Sequence, residues 1–454
     1  MSTLRTLALA AGVGLVLSDS SIVVLALPEI FRQFDTSIEG VSWVLISFNL
    51  AIALMAVPGA WFARRFGPGR SAAVGLAVFA GGSLACGLAS DLGPLLTGRV
   101  VQAAGGAVAV TSALELLIAS TGSERRGLAV WVGAGAIGAA VGPGVGGLLT
   151  ELVSWQSIFL IQVPIALIAA SPLRDAVTTE TREWRVREMP SGPNDRPHLP
   201  ANAALALVSA AIAAALFLVV LLLIEGWLLT PIEAALVVTV LPLSALVGAR
   251  IGRGIPSARM RAAAGAVLLA GGLAALGLLP RAEVVYVIPP QILAGLGLSL
   301  VLSALTEEAL RDRSEVSLHG GWTIAARHAG VVLGLLILTP IFTSQLEEQR
   351  TAALDASTAI LLESPIEPLE KLKLGERIAD QIDEQQDRVP DIEGAFVPLP
   401  TDPVQRDAEE DVRDGIKEQL DRAVTHAFSL PFLLAALFAL VALLPITLAR
   451  RLDL

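Results

Sequence analysis

The chain has 454 residues, 54% of them hydrophobic and 16% charged, with a net charge of −10 and a mean hydropathy of +0.69. Soluble domains carry roughly a quarter charged residues, so this composition excludes an ordinary soluble globule. The acidic balance argues against a nucleic-acid binder built on a basic face. Four histidines, one cysteine and no phosphate-cradling GxxxxGK[ST] leave little material for a metal centre, a disulfide framework or ATP hydrolysis, so an enzyme is not expected.

Twelve apolar stretches are long enough, or nearly so, to cross about 30 Å of hydrocarbon. They fall near 6–27, 43–62, 72–90, 95–118, 129–150, 157–171, 203–224, 232–251, 262–280, 284–304, 323–343 and 427–448, the sixth being short and continuing toward Arg174. Asp19 interrupts the first stretch and no small-residue cleavage site follows, so it reads as a retained helix and not a signal peptide. With Met1 in the cytoplasm, the inner connections and tails collect Arg5, Arg64, Arg65, Arg70, Arg125, Arg126, Arg250, Arg253, Arg259, Arg261 and others. The short outer connections hold only Arg32 and Arg281. By the positive-inside rule both termini are cytoplasmic. The arginine-rich usage, 29 arginines to three lysines, suggests a GC-rich genome, and the expected location is a bacterial plasma (inner) membrane. The single cysteine, Cys86, falls inside the third stretch.

Charges inside such stretches are costly and tend to face the bundle interior. Asp19, in the first, is the strongest candidate for a proton-linked group, against a hydrogen-bonded helix kink. Arg99, in the fourth, has Gln102 three positions later on the same face. Arg99 stays protonated and can tune a carboxylate or hold an anion; a structural ion pair is the plainer alternative. Phe48 and Asn49 of the second stretch join Asp19, Arg99 and Gln102 as expected lining of a substrate cavity. Glu115 is expected near the inner end of the fourth helix, paired with Arg125 or Arg126. Arg327 and His328 read as the inner opening of the eleventh helix: an anchor for its end, with a proton relay through the histidine as the sharper alternative.

The fifth stretch carries Gly138, Gly142, Pro143 and Gly146 in a run without charge from Val130 to Thr150. A bare helix face lets a neighbour approach closely, and Pro143 removes a backbone donor. This reads as a seam on which two bundles rock. Gly59, Arg64, Arg65, Gly67 and Arg70 lie between the second and third stretches and read as an inner gate.

These segments together resemble the Major Facilitator Superfamily, in the form of its drug/proton antiporters. The resemblance is carried by Leu17–Pro28, Gly59–Arg70, Arg99–Ala107, Gly133–Gly147 and Trp155–Pro164, in that order. It implies an all-α integral membrane fold of twelve helices in two six-helix bundles. The branch that this chain resembles most usually has fourteen; the extra central pair is absent here. Ala63 stands where the family's loop motif usually has an aspartate that latches the halves, and Gly252 holds the equivalent place in the second half. The arginines are then left to latch onto helix C-termini. Ala103 replaces a usual glycine.

The expected organisation is a bundle over 1–171, a cytoplasmic linker over 172–202, a second bundle over 203–343 and 427–454, and an acidic extracytoplasmic insertion over 344–426. Residues 344–425 hold 21 acidic and nine basic residues. Helical periodicity recurs there over 346–362, 369–382 and 404–423, between prolines. This reads as a helical cap: a spacer, an acidic vestibule or a docking element for an extracytoplasmic partner at 346–423. Gly59, Arg64 and Arg70 recur as Gly248, Arg253 and Arg259, which points to a duplicated half.

The functional expectation is a secondary transporter, monomeric in the bilayer, that exports small lipophilic or amphipathic compounds by alternating access. Protons are the coupling ion and no cofactor or metal is needed. The alternatives are a lipid or metabolite exporter or facilitator of the same fold, and a non-transporting sensor or scaffold working through its acidic outer segment.

Overall fold

The protein is described from a computed structural model covering residues 3–173, 196–311, 313, 315–384, 392–397 and 402–448. Most of the expected linker, with Arg174, Arg182, Arg185 and Arg187, lies outside these residues, as do Arg450 and Arg451.

The described residues are helical, without strands. Helices are what a chain forms where no water meets its backbone, because each satisfies its own N–H and C=O groups. Six span the first half: α1 (Thr3–Gln33), α2 (Ile38–Phe66), α3 (Pro68–Gly87), α4 (Leu92–Thr121), α5 (Glu124–Leu152) and the shorter α6 (Ser157–Leu173). The second half holds α7 (Leu199–Gly226), α8 (Pro231–Gly254), α9 (Ala258–Gly277), α10 (Val284–Leu310) and α11 (Val316–Glu363), and ends with α14 (Ser429–Val441), prolonged by α15 (Leu443–Leu448). Among the described residues eleven helices are long and apolar enough to cross a membrane, the last being the continuous run Gln405–Leu448 that contains α14 and α15, and α6 supplies a shorter twelfth apolar segment.

Short polar connections start the helices. Ser37, Asp91, Ser123 and Ser257 each accept a backbone N–H of the helix they open, and Thr230 with Glu233 forms a capping box at α8. Gly67 ends α2 at φ 89°, a conformation that side chains disfavour.

The two halves share a packing scheme written in glycine. In the first, Gly75 and Gly105 bring α3 and α4 backbone to backbone, and Gly82 sits on the backbone of Gln102. In the second, Gly265 and Gly297 do the same for α9 and α10, and Gly272 sits on Ala294. Gly59 leaves room for Val108 of α4, as Gly248 does for Leu296 and Ser299 of α10. The arginine repeat read from the sequence is thus one trace of a duplicated half.

One end of the bundle is basic. There Arg5 Nε donates to Pro172 O (3.1 Å), Arg313 to Arg196 O (3.0 Å) and Arg259 to Thr447 O (3.4 Å), gathering the starts of α1 and α7 and the end of α15. At the other end α11 continues for 48 residues, about 72 Å, far beyond a bilayer. Its extension packs with α12 (Pro368–Glu384) and α13 (Pro403–Ala427), and α13 leads directly into α14. This cap has its own apolar core, including Leu361, Leu374, Ile378, Phe396, Val412 and Ile416. Glu409 is buried beside that core, and desolvation raises its pKa, opposed by Arg377 and aided by Glu370.

The eleventh helix corrects one sequence boundary. It begins at Val316, not near 323. Ser317, His319, Gly320 and Gly321 depress its hydropathy, but they meet protein and not lipid: Gly320 faces Leu114 of α4 and Gly321 faces Ala56 of α2.

Candidate functional site

Asp19 and Arg99 meet in the first half, both with fully buried side chains. Arg99 Nη1 donates to Asp19 Oδ2 at 2.5 Å and to Gln102 Oε1 at 2.7 Å, and its Nε donates to Val44 O at 3.0 Å. Gln102 Nε2 lies within hydrogen-bond distance of Asp19 Oδ1 (3.0 Å), Ser83 Oγ (2.7 Å) and Gln162 Oε1 (3.1 Å). The guanidinium lies 4.1 Å from the ring centre of Phe48 and 5.5 Å from that of Phe159, so two aromatic faces add cation–π attraction. Five helices, α1, α2, α3, α4 and α6, converge on one charge pair. In a low dielectric such a pair persists because each charge answers the other and further polar groups fill their remaining sites. Arg99 Nη2 and Gln162 Nε2 remain as buried donors without a partner.

This arrangement differs from the expected cavity lining. Asp19, Arg99, Gln102 and Phe48 expose no surface, and Asn49 exposes 1%. The first four form a sealed core within one half. Asn49 alone turns toward the other half: its Oδ1 lies 2.6 Å from His328 Nδ1 of α11. Its Nδ2 donates to Leu45 O (2.8 Å) and Ser20 Oγ (3.2 Å).

His328 and Arg327 therefore do not anchor a helix end. Twelve and eleven residues into α11, they lie about 17 Å from its start, near mid-bilayer. The earlier start of the helix is the reason.

Helices α2 and α11 are tied at three depths. Thr343 donates to Glu39 near the cap, Asn49 meets His328 at the middle, and Arg64 Nη1 binds Glu315 Oε2 at 2.7 Å at the basic end. The last contact revises the inner gate. Ala63 is buried and carries no charge, and Arg64 finds a carboxylate on the opposite half in place of a helix C-terminus. Arg65 and Arg70 are exposed beside it, and Gly59 packs on α4.

The glycine seam is also relocated. A Cβ at Gly138, Gly142 or Gly146 would strike Gly14 O, Ser21 Oγ or Ile22 O, all of α1 in the same half. The seam joins α5 to α1, and Pro143 is buried within the continuous α5. Helix α5 also packs on α8 of the second half: a Cβ at Gly147 would lie 2.6 Å from Pro231 O, and Glu151 Oε2 accepts Ile232 N–H at 2.8 Å. Glu115 is half-buried in α4, six residues from its end.

Sequence reasoning missed Ser83, Gln162, Glu315 and the Asn49–His328 pairing. Ser83 and Gln162 are lone polar residues in apolar helices, a signal that was available and that charged residues overshadowed. Among the described residues no three or more His, Cys, Asp or Glu side chains are placed to hold a metal.

Comparison with known proteins agrees with this architecture. A solved bacterial homologue of the human lysosomal transporter Spinster, inward-facing and occupied, matches with TM-score 0.64 at 16% identity, covering 98% of this chain and 96% of that one. This likeness concerns the fold. Among curated relatives, the multidrug resistance protein Stp of Mycobacterium tuberculosis is 34% identical over 165 residues, 35% of this chain and 31% of that protein. The methylenomycin A resistance protein of Bacillus subtilis is 37% identical over 168 residues, 36% of each. The tetracenomycin C resistance and export protein of Streptomyces glaucescens is 36% identical over 165 residues, 36% of this chain and 31% of that protein. The matches span about a third of the length of these relatives. The family model of the Major Facilitator Superfamily matches residues 9–335. With its many apolar helices, duplicated halves and named resistance and efflux relatives, the chain belongs to the Major Facilitator Superfamily and is an integral membrane protein of that transporter family.

Proposed function

We propose that the protein is a proton-coupled antiporter that exports small amphipathic compounds by alternating access, with its basic end and both termini in the cytoplasm. The observation that carries this reading is the sealed Asp19–Arg99 pair. A carboxylate that meets only one permanent cation inside a dry bundle has two self-consistent states: ionised and paired, or protonated and released. Rocking of the halves that admits water to α1 and α4 exchanges one state for the other. Asp19 would carry the proton, while Arg99 and Gln102 would set how readily it is taken up. The Arg64–Glu315 bridge and the Glu39–Thr343 contact would close the two ends in turn. The substrate would occupy the interface near Asn49 and His328, since the charge pair itself is enclosed. The resistance and export names of the relatives support the outward direction.

The test is substrate-dependent proton movement in proteoliposomes, for the wild type and Asp19→Asn, against a panel of amphipathic cations, anions and neutral drugs. The expected result is movement in the wild type that falls at least tenfold in the variant. Equal movement in both proteins removes Asp19 from the mechanism, and no movement with any compound argues for an uncoupled facilitator or a scaffold.

A further inference from the structure

We propose that the substrate is an organic anion whose acidic group binds Arg327 at the interface of the halves, beside Asn49 and His328. This rests on the transporter reading above and narrows its substrate class.

The placement of Arg327 is the starting point. It lies near mid-bilayer, yet it is partly exposed, as are its neighbour His328 and Ser20 of α1. The surface it presents does not face lipid. Trp322, Leu333, Leu336 and Ile337 form the exposed apolar stripe of α11. At about 100° per residue, Arg327 lies about 130° around the helix from the centre of that stripe. The flanking faces are occupied. Gly330, about 60° to one side of Arg327, sits on Ala206 of α7, and Gly321, about 120° to the other side, sits on Ala56 of α2; Gly334, on the face of Arg327 and two turns toward the cap, sits on Ala210 of α7. Gly320, on the same face as Arg327 and two turns toward the basic end, meets Leu114 of α4 in the other half. Arg327 therefore points between the halves.

The second observation is its lack of a counter-charge. Among the described residues Arg327 has no hydrogen-bond or ion-pair partner. The other arginine at this depth, Arg99, has Asp19, Gln102 and Val44 O. An arginine stays protonated at any working pH, and an unpaired one inside a bundle is costly. Residues of this kind persist where a ligand completes them. His328 and Asn49 are already bonded to each other at 2.6 Å, and Asn49 reaches Ser20, so a polar strip adjoins the cation. Ile324, Val331 and Leu338 lie within about 60° of it around α11, an apolar setting that suits an amphiphile with one acidic group. A lipophilic cation would be repelled by the same site.

Full-length protein in nanodiscs, titrated by fluorescence with dansylglycine, its methyl ester and dansylcadaverine, tests this with one fluorophore in anionic, neutral and cationic forms. The expected result is binding of dansylglycine at least tenfold tighter than either other probe. Arg327→Gln removes that preference and Arg327→Lys keeps affinity within about threefold. Weak or absent dansylglycine binding by the wild type, or an anion preference that survives Arg327→Gln, overturns the proposal. Thermal unfolding supplies a further check. Removing an uncompensated cation leaves Tm unchanged or higher, whereas a marked drop in Arg327→Gln reveals a structural partner and contradicts the assignment. No proton gradient is applied, so failure here leaves the antiporter standing, and failure of the Asp19 test leaves the anion site standing.

Discussion

The two halves share a scaffold and differ in where they place charge. Gly138 seats α5 on Gly14 of α1 and Gly330 seats α11 on Ala206 of α7 in the same register, with Gly142 and Gly334 continuing the two seams. Aligned on these contacts, Asp19, Arg99 and Gln102 of the first half correspond to Ala211, Gln291 and Ala294 of the second. All six are buried, but only Asp19 and Arg99 are charged. Conversely, Arg327 of the second half corresponds to Gly135 of the first. Backbone packing is thus kept by small residues, and side-chain chemistry is free to diverge between the copies. One half holds a sealed ion pair; the other carries a partly exposed arginine with no partner among the described residues.

The largest expected effect comes from breaking the pair. Asp19→Asn strands a buried guanidinium and should lower stability by about 3–5 kcal/mol, read by thermal unfolding in detergent. Asp19→Ala with Arg99→Gln copies the second half, and should recover most of that loss. If the double variant is no more stable than Asp19→Asn, the correspondence between the halves carries no energetic meaning.

Next are the glycine seams. Gly142→Val and Gly334→Val each drive a side chain into α1 or α7 and should each cost about 1–3 kcal/mol, with reduced folded yield by size-exclusion chromatography. Similar losses in both halves support a common scaffold; a silent Gly334→Val would break it.

The latch should be weaker, because Arg64 is half exposed and surface ion pairs contribute about 0–1 kcal/mol. Arg64→Gln and Glu315→Gln should each shift the population open at the basic end by up to about fivefold, measured by spin-label distances across α2 and α11. The two together should add little beyond either one.

The smallest effect belongs to the cap. Because burial raises the Glu409 pKa, its neutral form favours folding. That contribution is present at low pH and is lost as pH rises through the raised pKa. Glu409→Gln should raise the cap's melting temperature at pH 7 and flatten its gain on acidification, read by hydrogen exchange over α12 and α13.

Much of this was legible in the sequence, for physical reasons. Asp19 and Arg99 stood out because a charge inside an apolar stretch is rare and costly. The GxxxG spacing showed that α5 has a bare face, but not which helix fills it, and the answer was α1 and not the other half. The start of α11 was hidden because hydropathy cannot separate small residues packed on protein from a loop. Glu315 was hidden because its partner lies 251 positions away. Arg327 was seen as a charge but placed at the wrong depth, and depth decides whether such a cation anchors a helix or faces a ligand.

The most direct test of the central claim, that coupling resides in the first half and substrate binding at the interface, uses the Asp19→Ala, Arg99→Gln variant in proteoliposomes. The substrate is whichever compound drives proton movement in the wild type. The account predicts that substrate exchange without a gradient continues within about threefold of wild type, while proton-driven accumulation is lost. Loss of both, in a variant shown to be folded, or survival of proton-driven accumulation, would contradict it.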